Sequence, residues 1–423
     1  MKWVTLLLTL HLLFFMGSCE KGNGVTKKTE PIEIILTSAQ TKVADNGNNI
    51  AFNYLANISE QEALENKRKN VMISPLSLNL AMAMCWNGAD GQTKEQIKNT
   101  LGFVGNTDND VNSFFKKMIE TLPKTDPSVK ISIANSIWQH KDFAVLESFM
   151  ATNKKWFNAS VQSLDFRNSN SVNIINDWCS NNTNGMIKKI IDEIKPNEVL
   201  FLINALYFKA PWKNEFKTEK TAMQPFYLRD GSSIDLSTMN QEVTCQYSEG
   251  TRYKAATLPY GNEAFNMTII LPNDGYLPED LFTLLEPISS TTNVWSTIIN
   301  NKSLNKLDIY LPKFKFEYEI EFNDILKKMG ITDAFSASLA NFSRIAQIQP
   351  PYNNLVISKV IQKTAIEVNE KGSEAAAVTS VGIGVTSIPP SKNEFRVNRP
   401  FIFVISEKHT GAILFAGKVE MPN

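Results

Sequence analysis

The stretch that most constrains this chain is Glu370 to Pro390, because almost nothing in it is large enough to hold it against a core. It opens as Glu370-Lys371-Gly372-Ser373-Glu374-Ala375-Ala376-Ala377-Val378-Thr379, polar at first and then small and apolar. At the period of two that a strand imposes, one face carries Ser373, Ala375, Ala377, Thr379, Val381, Ile383 and Val385. The other carries Glu374, Ala376, Val378, Ser380, Gly382 and Gly384, with a single charge at its start. No proline interrupts Gly372 to Ile388, and Pro389-Pro390 then ends any strand. Such a segment anchors itself poorly. It fits well between two strands that already exist, where inward side chains must be small and every backbone group finds a ladder partner. A surface loop or an ordinary short strand satisfies the same residues, and the alanine triplet has helix propensity of its own.

Within residues 45–421 there is no linker-like run and no internal repeat, so the 423-residue chain reads as one large domain after a short leader. An apolar fraction of 43% is that of a globular protein with a sizeable core. The 43 basic and 43 acidic residues cancel, and nothing in that balance asks for nucleic acid. The short run Asn66-Lys67-Arg68-Lys69 reads as a solvated helix end or loop. A monomer is expected.

Residues 1–18 read as an export signal: Lys2, an apolar run from Leu6 to Met16, then small residues. The run is too short to span a bilayer. Met16-Gly17-Ser18-Cys19 resembles a bacterial lipobox, in which cleavage precedes the cysteine and a diacylglycerol joins its sulfur. The expected division is a signal peptide at 1–18, a lipidated N-terminus and flexible tether at 19–44, and a folded domain at 45–423. On that reading Cys19 holds the protein to a membrane, at the outer membrane or cell surface of a bacterial envelope. Plain secretion is the alternative. Cys85, Cys179 and Cys245 then remain, with no C-x-x-C and no metal-ligand spacing, and are expected as buried thiols.

Apolar periodicity predicts helices over Asn48–Asn57, Pro75–Trp86, Asn170–Cys179 and Asp324–Met329. Thr93 is expected as the N-cap of a short helix ending at Leu101, with Gln96 in the capping-box position. Strands are expected over Ile131–Trp138, Val199–Lys209, Leu307–Leu311, Leu355–Asn369, Glu394–Val397, Phe401–Ser406 and Ala412–Val419. A hairpin turned at Asp230-Gly231 joins the ends of Phe226–Leu236. Helices early and strands late give an α+β fold with large antiparallel or mixed sheets.

Enzyme signatures are missing. Beyond the leader the only histidines are His140 and His409, the latter in a turn-like His409-Thr410-Gly411. There is no G-x-S-x-G, H-E-x-x-H, P-loop or G-x-G-x-x-G, and the two S-x-x-K matches lack their companions. Glu317, Glu319 and Glu321 alternate with Phe316, Tyr318 and Ile320, as on the solvent face of a strand. No catalytic, cofactor-binding or metal-ligating residues are assigned.

The run from Glu370 to Thr379 resembles the hinge of the serpin family, where E-x-G-[ST]-E-A-A-A precedes a bait bond. The resemblance extends along residues 45–421. Ser74-Pro75-Leu76-Ser77 resembles the family's shutter, and Asn204-Ala205-Leu206-Tyr207-Phe208-Lys209 with Trp212 its sheet-and-gate segment. Asn398-Arg399-Pro400-Phe401-Ile402-Phe403 and Gly411-Ala412-Ile413-Leu414-Phe415-Ala416-Gly417-Lys418-Val419 resemble its closing strands. Shorter echoes are Leu258-Pro259-Tyr260, Leu271-Pro272 and Leu311-Pro312-Lys313-Phe314. The resemblance implies three β-sheets, about nine helices and an exposed reactive-centre loop.

It also implies an activity: suicide inhibition of serine proteases. The hinge is Gly372, Ser373, Glu374, Ala375, Ala376 and Ala377, and the bait bond falls at Thr386–Ser387, with Val385 as the alternative scissile position. A protease acylated at Thr386 would be trapped when the freed loop inserts as a new strand. At about 0.5–1.5 kcal/mol per bond, some 12 residues bonded on both sides represent roughly 10–35 kcal/mol. That rivals the whole stability of an ordinary domain. Between Lys371 and Lys392 there is no Lys or Arg, so small β-branched Thr386 and Val385 point to elastase-like targets. Shutter and gate map to Ser74, Ser77, Asn204, Trp212 and Gln362, where glutamine stands in place of the family's frequent histidine. The stretch between Pro390 and Phe395 is about two residues longer than the family pattern. The alternatives are a non-inhibitory serpin acting as a ligand-binding or carrier lipoprotein, and a surface lipoprotein that binds glycans or peptides.

Overall fold

The computed structural model describes residues 30–65, 68–196, 198–285, 294–300, 302–348, 350, 354–373 and 393–422. The expected positions Cys19, Glu374, Ala375, Ala376, Ala377, Val385, Thr386 and Ser387 lie outside the described residues. Helices among them are α1 (Ser38–Leu64), α2 (Pro75–Gly88), α3 (Gly91–Thr100), α4 (Asp108–Thr121), α5 (Glu147–Phe157), α6 (Asn170–Asn182), α7 (Pro278–Leu285), α8 (Val294–Asn300) and α9 (Asn323–Lys328). The first strands are β1 (Val71–Ile73), β2 (Lys130–His140), β3 (Ser160–Leu164), β4 (Leu200–Pro211), β5 (Ala222–Tyr227), β6 (Ser233–Glu249), β7 (Tyr253–Pro259) and β8 (Phe265–Pro272). The later ones are β9 (Ser303–Pro312), β10 (Phe314–Glu321), β11 (Ile361–Asn369), β12 (Gly372–Ser373), β13 (Glu394–Arg396), β14 (Phe401–Glu407) and β15 (Ile413–Val419).

The strands form two continuous sheets. One has six strands in the order β10-β11-β12-β4-β2-β3, and the other has nine, running β1-β15-β14-β8-β7-β6-β9-β13 with β5 paired to β6. The resemblance implied three sheets. Two of them are joined here because β6 is 17 residues long and serves both. Its first part pairs with β5 and β9, and its last four residues pair with β7.

The main core lies between the two sheets and under α1, α2 and α4, whose inward faces carry Tyr54, Leu80, Met84, Trp86 and Phe115. Alternation in β4 sorts its side chains: Leu206, Phe208 and Ala210 join this core. Ile203 and Ala205 face a second cluster with Trp138, Phe166, Ile175 and Cys179, through which α6 covers the outer face of the six-stranded sheet.

Several expectations shift at their edges. The expected domain start at residue 45 falls inside a helix that begins at Ser38, capped by a Thr37–Gln40 box, so residues 38–44 of the expected tether are helical. Upstream, Ile34 is buried and the Ile32 N–H donates to Thr125 O (3.2 Å). Thr93 does not cap α3; Asp90 holds that place. Thr93 is fully buried inside the helix, where its hydroxyl accepts from Asn341 N (2.9 Å). Gln96 reaches outward instead, accepting from Thr332 N (3.0 Å) and Asp333 N (2.8 Å). The last long strand begins at Ile361 rather than Leu355. Glu317, Glu319 and Glu321 lie exposed along β10, as their alternation required. Cys85, Cys179 and Cys245 are free thiols, and burial pushes the Cys85 and Cys179 groups up to about 12.

Candidate functional site

Among the described residues, the six-stranded sheet has only a short strand at its centre. Among the described residues, the ladder between strands β11 and β4 runs through β12 alone, a two-residue strand between them at one end. Ser373 pairs with Val368 of β11 and Ala210 of β4, and Gly372 with Asn369 and Pro211. Beyond Ser373 no ladder joins β11 to β4 among the described residues. The chain therefore enters the sheet at Gly372 and Ser373, the two described residues of the six expected as a hinge.

Glycine is required at that entry. Gly372 has φ +150, and a Cβ built there would lie 2.1 Å from Ala210 O and 2.7 Å from Pro211 Cα. Around it the turn is tied down from three sides. The Trp212 N–H donates to Lys371 O and its indole Nε1–H to Asn369 O, both at 2.9 Å. The Phe216 N–H donates to Glu370 O (2.9 Å). Trp212 stacks on Tyr260 with centroids 4.5 Å apart and planes 7° apart, and Tyr260 Oη shares a hydrogen bond with Ser373 Oγ (2.5 Å). Glu370 accepts from Thr221 Oγ1 (2.9 Å) and pairs with Lys313 Nζ (3.0 Å). Burial works to raise the Glu370 carboxyl, but backbone, Lys313 and Thr221 hydrogen bonds hold it below the usual carboxylate range.

A second cluster lies farther along the opening, where the N-terminus of α2 bridges its two lips. Gln362 of β11 accepts from Ser74 N (2.8 Å) and donates to Ser74 O (2.9 Å). Ser74 Oγ donates to Leu414 O (2.7 Å) and accepts from Ser77 N (3.3 Å). The Ser77 hydroxyl donates to Asn204 Oδ1 of β4, and Asn204 Nδ2 donates to Asn135 Oδ1 of β2 (2.8 Å). Ser74, Ser77, Asn135 and Gln362 are all buried, and each named contact has a donor facing an acceptor. Sequence reasoning grouped Ser74, Ser77, Asn204, Trp212 and Gln362. The structure brings the first two together with Asn204 and Gln362, and places Trp212 beside Gly372 and Ser373 instead. Asn135 and Thr221 carried no sequence signal. Tyr260 and Lys313 stood within short echoes, and Glu370 within the opening run, without roles assigned.

His140 is buried and accepts from Asp142 N (3.1 Å), whereas His409 is exposed beside Glu407. Neither lies among the residues of the two clusters.

The family description Serpin (serine protease inhibitor) matches residues 45–422. An uncharacterised serpin-like protein of Methanosarcina acetivorans is 35% identical over 429 residues, covering 98% of this chain and 96% of its own. Human neuroserpin is 34% identical over 369 residues, covering 84% of this chain and 86% of its own. Among solved structures, the native state of the thermophilic serpin tengpin superposes with a TM-score of 0.79 at 31% identity, covering 93% of this chain and 97% of that one. A two-residue, glycine-dependent strand between β11 and β4, with no further ladder between them among the described residues, and a match along almost the whole domain give one conclusion: the chain belongs to the serpin family of serine protease inhibitors.

Proposed function

We propose that this protein is a suicide-substrate inhibitor of elastase-like serine endopeptidases, acylated at Thr386 and completed by insertion of residues 374–385 between β11 and β4. The observation that carries this reading is β12, because its register can be continued. Ser373 lies opposite Ala210 and Val368. Six residues on, Thr379 would meet Asn204 and Gln362, the two lips of the polar cluster. Its hydroxyl can take hydrogen bonds there as the existing links rearrange. Ser373 is buried, so the alternate residues Ala375, Ala377 and Thr379 would also face inward, and all are small. Strand addition of this kind satisfies both open edges at once, and serpin loop insertion is itself a known instance of it.

Specificity rests on Thr386 and Val385. A shallow apolar pocket accepts either side chain, and a trypsin-like protease finds no Lys or Arg from Gly372 to Ser391. Mixing the protein with an elastase-type protease should give, on a denaturing gel, a covalent band at the summed mass less the piece after Thr386, with that piece appearing as a fragment beginning at Ser387. Cleavage at that bond with the protease still active would refute trapping, and no cleavage would refute the elastase assignment. An Ala376→Pro variant, which removes a ladder donor mid-insertion, should be cleaved without trapping.

The same proposal places the protein on a membrane through a lipid on Cys19, exported and anchored in a bacterial envelope. The support is the lipobox-like Met16-Gly17-Ser18-Cys19 alone. Labelling with a fatty-acid probe should mark the protein and fail to mark Cys19→Ser. Equal labelling of both would overturn the anchor.

A further inference from the structure

The first described residues lie on one corner of the molecule and leave two aliphatic side chains in the open there. Residues 30–37, ahead of α1, belong to no helix or strand. Two bonds lay them on the surface: the Ile32 N–H donates to Thr125 O (3.2 Å), and Lys117 Nζ of α4 donates to Ile35 O (2.6 Å). Ile34 is buried between those ties, whereas Ile32 is 53% and Ile35 72% exposed. Pro123 is exposed on the same corner, two residues before Thr125. The charged neighbours along these segments have both signs, Lys117 and Lys124 with Glu33 and Glu120, and they balance.

This corner lies at the hinge end of the six-stranded sheet. Thr125 O accepts from Asn262 Nδ2 (3.2 Å) and Asp126 Oδ2 from Asn262 N (2.6 Å), two residues beyond the Tyr260 that bonds Ser373. From beside the same turn β2 runs for 11 residues to His140, roughly 35 Å away. Cys19 precedes Glu30 by 11 residues, a reach of at most roughly 40 Å when fully drawn out. A domain of this length is roughly 55 Å across. With a lipid on Cys19, the His140 end of the sheet therefore cannot be the end that meets the bilayer. We propose that this corner seats on the lipid bilayer, with Ile32, Ile35 and Pro123 entering the interface and the hinge end of the sheet turned toward the membrane. The contact rests on the lipid at Cys19 proposed above. The anchor brings the patch within range, and removal of exposed aliphatic surface from water holds it there. Because the neighbouring charges balance, the contact should form as well on neutral as on anionic lipid.

The sample is the full lipoprotein in phosphatidylcholine nanodiscs, with a fluorophore on a single introduced cysteine and a nitroxide lipid as quencher. Burial pushes the Cys85 and Cys179 thiols up to about 12 and Cys245 to about 11, so at neutral pH the label goes to the new site. Quenching at Lys124→Cys should exceed that at Arg167→Cys about threefold, since Arg167 pairs with Asp142 (2.8 Å) just past the far end of β2. With Ile32→Glu and Ile35→Glu added, the signal at Lys124→Cys should fall about twofold. Both isoleucines face solvent, so these substitutions spare the core. Equal quenching at the two labels, a signal unmoved by the glutamates, or quenching confined to anionic discs overturns the contact. Failure to load on discs, together with no fatty-acid label on Cys19, sinks the anchor and the contact with it. A loaded chain that fails the quenching arms sinks the contact alone.

Discussion

Replacing Gly372 with alanine should unseat the hinge. The added Cβ would sit 2.1 Å from Ala210 O, a backbone atom that cannot rotate away, at φ +150, which an L side chain rarely adopts. If the turn retreats, four contacts go with it: those of Trp212 N with Lys371 O, Trp212 Nε1 with Asn369 O, Phe216 N with Glu370 O, and Tyr260 Oη with Ser373 Oγ. At roughly 0.5–1.5 kcal/mol each the loss is about 2–6 kcal/mol. Unfolding entropy near 2.1 cal/mol/K per residue gives about 0.8 kcal/mol/K for a domain of this length, hence a fall of about 3–7 °C. The assay is calorimetry at one fixed scan rate, since kinetic barriers make such midpoints rate-dependent. Tryptophan emission should report the freed Trp212. A midpoint within about 1 °C of the wild type, with unchanged emission, would refute the argument that β12 is held by glycine.

Gln362→Leu removes both links between β11 and Ser74, but Ser74 O keeps its bond from Leu78 N (3.0 Å), so the Ser74 N–H alone is stranded. The expected cost is about 1–3 kcal/mol, read as a lower midpoint and faster loss of inhibitory activity on warming; an unchanged midpoint would contradict it. For Glu370 the folded carboxyl is held below its ordinary value of 4.5, so its pairing with Lys313 stabilises above that value and is lost as pH falls through the lower folded one. Wild type and Glu370→Gln should thus differ in midpoint at pH 7 and converge in acid, and a pH-independent difference would discard the ion pair as the cause. Thr386→Arg should transfer trapping from elastase-type to trypsin-like proteases, measured as covalent complex with each, while retention of the original preference would move the bait bond elsewhere.

How far the fold was legible depended on where the constraint resided. Helix α2 was readable from an apolar run bounded by Ser74-Pro75 and Gly88, because caps and periodicity are local. The exposed glutamates of β10 were readable for the same reason. Thr93 misled because an N-cap is a backbone conformation that Asp90, two residues before the helix interior, had already taken. Helix α3 is also fixed from outside, through Asn341 and Thr332, contacts more than 230 residues distant that no local pattern contains. At the site, small alternating residues announced a segment fit to enter a sheet. They gave no sign of where the sheet would be open, since that depends on β11 and β4 failing to meet. Asn135 is the plainest case: an unremarkable residue in an apolar strand, it supports Asn204 only because β2 lies beside β4 in register.

The loop's two ends belong to different sheets. Its hinge, β12, lies inside the six-stranded sheet, while the residues that follow it resume as β13 on the edge of the nine-stranded one. After β13 the chain supplies β14, between β15 and β8, and β15, between β14 and β1. Those two strands are buried along their whole length. A nick at Thr386–Ser387 would therefore divide the polypeptide without dividing the particle. The piece from Ser387 onward is the middle of a sheet and has no way out short of unfolding. Under native conditions a spent molecule would sediment and elute like a fresh one, heavier by one water, and only a denaturant would disclose that it had become two chains.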